Sequence, residues 1–429
     1  MATPIDIVTI EMIKPSYPTP LHLRNLCSSF LDQIAPSIHF HIILYYEAYP
    51  SDNGSHNYEK TSLKLKRSLS EALVTYYPLA GRIRDTCWVD CNDAGAEYLE
   101  ARFADIQLSD VIEKCVPERL EKYVPMVPRG GEDIPLSVQV NFFGCGGAAV
   151  GLCISHKVTD ATNDTKSEPF IKPCFGSMTS RFPPTDFPLF LPPPPGATPA
   201  NIVTKRYVFD EPKLATLKNL VAEINPTRVE AVIAFIWKNF IDAVIIRDKN
   251  KAKNTLFAAK LVVDIRSRAS PPFPKNFFGN ACARALAMTM EKETDSRKAK
   301  GEYTYHDLAI NLRDAIRKID VDYVKRMEDG HNFLKYLSTS EENDPCFKDG
   351  RITLETCGFS SWCRLPLYDV ADYGWGKPVW VSPVAIPVKN MIVLLDTKTG
   401  NGIEAWVNML KEDIALIDTN YHLISSLMP

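Results

Sequence analysis

The sequence predicts a mixed α/β fold in two halves. Patterns typical of strands and of helices alternate along the 429 residues, and eight of the 32 Pro residues lie between Pro183 and Pro199. A chain of this length contains two or three domains at ~100–200 residues each, and a Pro-rich stretch forms an extended, semi-rigid connection. We therefore expect an N-terminal domain over residues 1–190, a linker over 191–202 and a C-terminal domain over 203–429.

The first half combines a helix with two strands. One helix face is marked by the apolar residues Leu65, Leu69, Leu73 and Tyr76. Pro78 should end that helix, because proline excludes the helical conformation from the residue before it. Alternation of apolar and polar residues predicts a strand over residues 136–142, and a short apolar run predicts another over 148–154.

The second half repeats this mixture. Thr227 and Glu230 have the spacing of a capping box, which predicts a helix start before the apolar run that extends to Val244. A second amphipathic helix face is marked by Leu308, Leu312, Ala315 and Ile319. Residues 256–265 and 391–396 have the composition of buried strands. These patterns do not give the order of the strands.

Composition excludes several classes of function. The 49 basic and 52 acidic residues give a net charge of −3, which does not fit a nucleic-acid binder that relies on a basic surface. The longest apolar stretches are far shorter than the ~20 residues of a bilayer-spanning helix. The eleven cysteines include no Cys-x-x-Cys pair. We therefore expect reduced thiols in a cytoplasmic, monomeric protein that binds neither nucleic acid nor membrane.

His156 and Asp160 form the first candidate site. His156 follows the predicted strand over 148–154, where a rigid element meets an open loop. A neutral imidazole with a pKa of ~6.5 can accept a proton near neutral pH. Two fixed positions can also match by chance, and the histidine could simply tie down a loop. A metal site has less support, because two ligands do not complete a set.

The second motif, over residues 372–378, predicts a tight turn. Gly374 and Gly376 flank Trp375, and Pro378 follows. Such a turn has no chemistry of its own, but it fits an ordered set of motifs along the chain. In order, these are Tyr77–Arg82, Val203–Arg206, Thr227–Glu230, Asp264–Arg268, Phe278–Asn280, Ser361–Arg364 and Gly402–Trp406.

Together with His-x-x-x-Asp and Asp-Tyr-Gly-Trp-Gly, this ordered set resembles the BAHD family of plant acyltransferases that use acyl-CoA. The resemblance covers essentially the whole chain and is most like the alkaloid-acetylating branch. It implies two α/β domains of the chloramphenicol-acetyltransferase type, each a mixed sheet flanked by helices, with a solvent channel between them. It also implies that a late segment returns to the first domain.

The implied reaction transfers an acyl group, most simply acetyl, from acyl-CoA to a hydroxyl of an alkaloid or terpenoid, without a metal. The resemblance implies that His156 is the general base and that Asp160 orients its loop by pairing with an arginine, for which we select Arg266. Asp372, with Gly374, Trp375 and Gly376, is expected to shape a turn, although some descriptions of the family give this Asp a catalytic role. Trp362 and Ser360 are expected to donate to the oxyanion. The CoA-binding residues are not predicted.

Three departures and three alternatives stay open. Tyr373 replaces a Phe, the loop before Asp372 is one residue longer, and the family's amphipathic helix after the Asp is replaced by the polar stretch 161–169. We expect that stretch to be irregular, leaving a wider acceptor entrance or a partly exposed apolar patch near 170–175. The chain could instead be a ligand-binding protein that has lost turnover, or an N-acyltransferase. A covalent route through Cys153 has little support, because odd spacing in a strand turns it away from His156.

Overall fold

The computed structural model describes residues 6–48, 58–85, 88–131, 133–160, 172–186, 201–247, 255–290, 303–338, 352–385 and 388–426. The polar stretch 161–169, and the linker except for residues 201 and 202, lie outside the described residues. In chain order, the strands are β1 Asp6–Ile13, β2 Asn25–Cys27, β3 His39–Tyr46, β4 Arg82–Ile83, β5 Trp88–Asp90, β6 Ala96–Phe103, β7 Leu136–Phe143, β8 Ala148–Ser155, β9 Ile202–Phe209, β10 Thr255–Asp264, β11 Cys282–Met290, β12 Thr353–Ser361, β13 Trp380–Ser382, β14 Met391–Asp396 and β15 Ile403–Leu410.

The α-helices flank these strands. In chain order, they are α1 Phe30–Ile34, α2 Tyr58–Thr75, α3 Leu108–Lys114, α4 Pro117–Leu120, α5 Glu211–Asn219, α6 Arg228–Arg247, α7 Tyr305–Arg317, α8 Val321–Met327, α9 Gly330–Ser338, α10 Leu367–Val370 and α11 Lys411–Ser426. Each helix and strand predicted from the sequence lies within two residues of an observed element or inside a longer one.

The chain divides into two compact units. The first contains Met1–Pro194, Phe273–Ala281 and Leu365–Ala385; the second contains Pro195–Pro272, Cys282–Arg364 and Ile386–Pro429. Two later segments therefore belong to the unit that begins the chain. The return at 365–385 is fixed by β13, which pairs with β3.

The first unit is built on a six-stranded sheet in the order β1-β6-β7-β8-β3-β13. Its β6 and β7 are parallel and its other pairs are antiparallel. The alternating polar residues of β7 are buried like the apolar ones, because Ser137 donates to Glu97 and Asn141 donates to the carbonyls of Tyr123 and Ala149. A smaller sheet has the order β2-β5-β4.

The second unit has its own six-stranded sheet, in the order β11-β10-β12-β14-β15-β9. β12 is parallel to β10 and β14, and the other pairs are antiparallel. Helix α6 carries much of the core through side chains such as Trp237 and Phe240, which are fully buried. The predicted capping box is present at its start: Thr227 N–H donates to Glu230, and Glu230 N–H donates to Thr227 Oγ1. The predicted two-domain fold with mixed sheets is confirmed.

Candidate active site

His156 directly follows β8, a strand bonded on both sides. β7 and β3 flank it, and the His156 backbone N–H donates to the Ile38 carbonyl at 2.9 Å. Gly151 allows the chain near Tyr123 to cross β8 closely, because a Cβ there would lie 2.2 Å from the Tyr123 carbonyl oxygen. The imidazole is therefore attached to a rigid part of the sheet.

The ring of His156 contacts Asn280, which lies 124 residues further along the chain. His156 Nδ1 is 3.0 Å from Asn280 Oδ1. The Asn280 amide nitrogen donates to the His156 carbonyl and to Asp32 Oδ1, each at 2.9 Å. With both amide hydrogens directed at those oxygens, Oδ1 must be the atom that faces the ring. Nδ1 therefore carries the proton, and the Nε2 lone pair can act as a base.

The environment keeps His156 neutral. Burial of the ring lowers its pKa from the ordinary value of 6.5, and the charge of Asp160 and the hydrogen bond to Asn280 oppose this effect without cancelling it. Phe40 packs edge-to-face against the ring, with 5.6 Å between centroids. A neutral histidine with a fixed tautomer has the properties of a general base at pH 7.

Asp160 binds the residue that follows Asn280. Its Oδ2 accepts the Ala281 backbone N–H at 2.9 Å. Arg266, its predicted partner, belongs to the second unit, where the guanidinium lies 3.2 Å from Asp264. The pairing of Asp160 with Arg266 stays a prediction. The observed contact already gives Asp160 a way to hold the segment that orients His156.

Asp372 is bound within its own turn. Its Oδ1 accepts the backbone N–H of Gly374 at 2.8 Å and of Gly376 at 3.1 Å. Both glycines have positive φ, +87° and +106°, which side chains disfavour. Trp375 packs edge-to-face on Tyr46 of β3, whose hydroxyl donates to the Ala371 carbonyl. These contacts support the expected structural role of this segment.

Ser360 and Trp362 lie in the second unit, at the end of β12 and just beyond it. Ser360 is in register with Val393 of β14, and the Trp362 backbone N–H donates to the Leu394 carbonyl at 2.7 Å. Both positions are thus fixed by a parallel strand pair. Their role as oxyanion donors stays a prediction.

Cys153 lies inside β8 and is completely buried. Burial raises the pKa of its thiol far above the ordinary value, so the thiolate does not form at neutral pH. This environment argues against a covalent intermediate on Cys153. The cysteines in the described part of the chain are free thiols.

The roles of Asp32 and Lys157 were not predicted from the sequence, and Asn280 was identified only as part of a motif. Ser29 and Asp32 have capping-box spacing, which is visible in the sequence, and the box is present at the start of α1. Nothing in their spacing connects them to His156. Lys157 is buried, and its Nζ donates to the carbonyls of Gln33 and Ala35 at 2.9 and 2.7 Å.

Within the described residues, no group of three or more potential metal-binding side chains is present. Across the same ranges, no helix combines the length and the apolar character needed to cross a membrane.

Comparison with known proteins gives consistent matches over nearly the full length. The Transferase family model matches residues 3–172 and 163–423. Stemmadenine O-acetyltransferase of Catharanthus roseus is 39% identical, covering 98% of each chain. Vinorine synthase of Rauvolfia serpentina is 36% identical over 97% of each. Limonoid 1-O-acetyltransferase of Citrus sinensis is 36% identical over 96% of this chain and 95% of the relative.

Solved structures match the fold. The crystal structure of vinorine synthase aligns with a TM-score of 0.79 and 33% identity, covering 98% of each chain. F. sporotrichioides TRI101, crystallised with coenzyme A and T-2, aligns with a TM-score of 0.67 over 94% of this chain and 98% of that one. At 16% identity, the second match supports the fold alone.

Proposed function

Since this chain belongs to the Transferase family of BAHD acyltransferases, we propose that it uses His156 to transfer an acetyl group from acetyl-CoA to a hydroxyl of a polycyclic alkaloid or terpenoid. It is an acyltransferase that uses acyl-CoA and acts on hydroxyls of specialised metabolites, as the relatives named for alkaloid and limonoid O-acetylation support. The observation that carries the proposed role of His156 is its hydrogen bond to Asn280.

The proposed mechanism is direct transfer. His156 Nε2 accepts the proton of the acceptor hydroxyl as the oxygen attacks the thioester carbonyl carbon. The tetrahedral oxyanion then collapses, the carbon–sulfur bond breaks, and the CoA thiolate takes the proton from the imidazolium. General-base assistance of this kind contributes ~10²–10⁴-fold. Trp362 and Ser360 are the proposed oxyanion donors, and one such donor contributes roughly 2.7–4 kcal/mol.

The test is CoA release from acetyl-CoA with a panel of alcohols. We expect turnover with polycyclic alcohols and lower rates with small ones, because the polar sequence of residues 161–169 departs from the family's pattern and predicts a wider acceptor entrance. A preference for small alcohols would contradict the wider entrance. Matched amine analogues of the accepted alcohol test N-acylation, and ligand binding without CoA release would identify a binding protein that has lost turnover.

Two further predictions concern the state of the protein. We expect a cytoplasmic protein, to be tested by fractionation of the source tissue. We expect a monomer, to be tested by light scattering at working concentration. A stable dimer or a membrane-associated fraction would contradict them.

A further inference from the structure

The carboxylate of Asp32 lies one hydrogen bond beyond Asn280 and has donors on both oxygens. Oδ1 accepts the Asn280 backbone N–H at 3.0 Å and the side-chain amide at 2.9 Å. Oδ2 accepts the Ser29 backbone N–H at 2.9 Å and hydroxyl at 2.7 Å. Burial raises the pKa of Asp32 despite these four bonds, but three of the four come from N–H groups that can only donate and therefore favour the ionised carboxylate.

This arrangement fixes the orientation of the Asn280 amide. An asparagine side chain can rotate by 180° and exchange its oxygen and nitrogen, and only its partners select one state. The Asp32 carboxylate and the His156 carbonyl both accept from the same end of the Asn280 amide, so that end must be the NH₂ group. The rotated amide would direct its nitrogen at His156 Nδ1 and favour the opposite tautomer, with Nε2 protonated and unable to accept a proton.

Lys157 provides a second link between the His156 segment and helix α1. It directly follows His156 in the chain, and its Nζ binds the carbonyls of Gln33 and Ala35 at the end of α1. Asp32 lies on that same five-residue helix. The backbone that carries the base and the helix that carries the carboxylate are therefore tied to each other at two points.

We propose that Asp32 is a positioning residue that acts through Asn280 to hold His156 in the tautomer with a free Nε2. The inference rests on the proposed role of His156 as the base. Asp32 belongs to the capping box of α1. The capping box alone does not require Asp32 to take part in the chemistry.

The test compares Asp32→Asn with a capping control. Asp32→Asn replaces the carboxylate with an amide. Its NH₂ group faces donors whether it is turned toward Asn280 or toward Ser29, so the contact that fixes the Asn280 amide is weakened and Asn280 can rotate. We expect kcat to fall about tenfold or more, short of the ~10²–10⁴-fold loss on removing the base, with little change in KM. The midpoint of the acid limb of the pH–rate profile should move to lower pH by about 0.4–1 unit. The reason is that the hydrogen bond from Nδ1 to Asn280 Oδ1, which favours the imidazolium, is weakened.

Ser29→Ala is the matched control, because it removes the hydroxyl cap of α1 and keeps the bonds between Asp32 and Asn280. It should lower the melting temperature and leave the kinetic pKa unchanged. Asp32→Glu keeps the charge with altered packing and should retain more of the wild-type profile than Asp32→Asn. In a double-mutant cycle, Asp32→Asn should add little to Asn280→Ala.

Nitrogen NMR of the His156 ring gives a readout that does not need turnover. Difference spectra against His156→Ala identify its signals, and the wild type should show a proton on Nδ1. A shift toward the Nε2-protonated form in Asp32→Asn, absent in Ser29→Ala, supports the proposal. An unchanged tautomer and kinetic pKa in Asp32→Asn, equal shifts in Ser29→Ala, or additive losses in the cycle would overturn it. If wild type releases no CoA, the proposed function fails while the tautomer measurement still decides this inference.

Discussion

The loop at His156 and the turn at Asp372 each carry a sequence motif, but the side chains of the two motifs form hydrogen bonds of opposite range. His156 and Asp160 bind Asn280 and Ala281, more than 120 residues away. Asp372 binds N–H groups two and four residues away. A long-range network can orient a reactive ring relative to the whole sheet, whereas a local one fixes only the shape of its own turn. The two aspartates should therefore respond differently to substitution.

Removing the base should have the largest effect. His156→Ala should lower kcat by ~10²–10⁴-fold while the fold is retained, because only the proton acceptor is lost. CoA release and circular dichroism measure the two properties. The matched control is His22→Ala, at an exposed histidine, which should keep wild-type activity. A His156→Ala rate near that of wild type would show that His156 is not the base.

Asp160 should come next, and its two substitutions should differ. Asp160→Ala leaves the buried Ala281 N–H without this acceptor, which should lower the free energy of unfolding by about 1–3 kcal/mol. It should also lower kcat about 10–100-fold, which is less than the ~10²–10⁴-fold loss expected on removing the base. Asp160→Asn can still accept that N–H and should be milder. Thermal melting and kcat measure both effects. If Asp160→Asn melts like wild type, the predicted pair with Arg266 is excluded, because losing the charge would strand a buried cation.

The pH dependence of kcat/KM should sharpen the contrast. His156 must be neutral to act, and burial lowers its pKa below 6.5, so activity should persist as the pH falls through 6.5. It should then drop about tenfold per unit. Because the unfolded state takes up this proton first, His156 also lowers stability as the pH falls below 6.5. An acid limb centred above 6.5 would contradict a half-buried imidazole whose pKa is lowered by desolvation.

The smallest effect should be at Asp372. Asp372→Asn retains one acceptor oxygen for the turn, and the residue is exposed, so stability should change by about 0.5 kcal/mol or less. The value of kcat should stay within about threefold of wild type, the range expected of a group outside the transition state. Measuring it beside Asp160→Asn compares the same chemical change in both motifs. A loss of 100-fold would make Asp372 a participant in proton transfer.

The sequence predicted the parts of the molecule that depend on near neighbours. Helix α6 begins at its predicted capping box, and β8 and β14 match their apolar runs, because caps and periodicity involve contacts within a few residues. The strand order was not predictable, since pairs such as β13 with β3 join distant segments. His156 and Asp160 were found from a motif. Asn280 and Asp32 were not assigned roles, because bonds across 124 and 248 residues leave no local pattern.

Phe273–Ala281 belongs to the first unit but is synthesised after most of that unit. This order has a consequence for biosynthesis. A ribosome adds about 5–20 residues per second, so the 124 residues between His156 and Asn280 take roughly 6–25 seconds to make. During that interval β8 can pair with β7 and β3, but Asn280, whose Oδ1 accepts from the His156 imidazole, has not yet been made. A nascent chain therefore passes through a stage in which its sheet is complete apart from β13 and its base is not oriented. A fragment that ends after Asp160 but before Asn280 carries the His-x-x-x-Asp motif without the amide that fixes its proton.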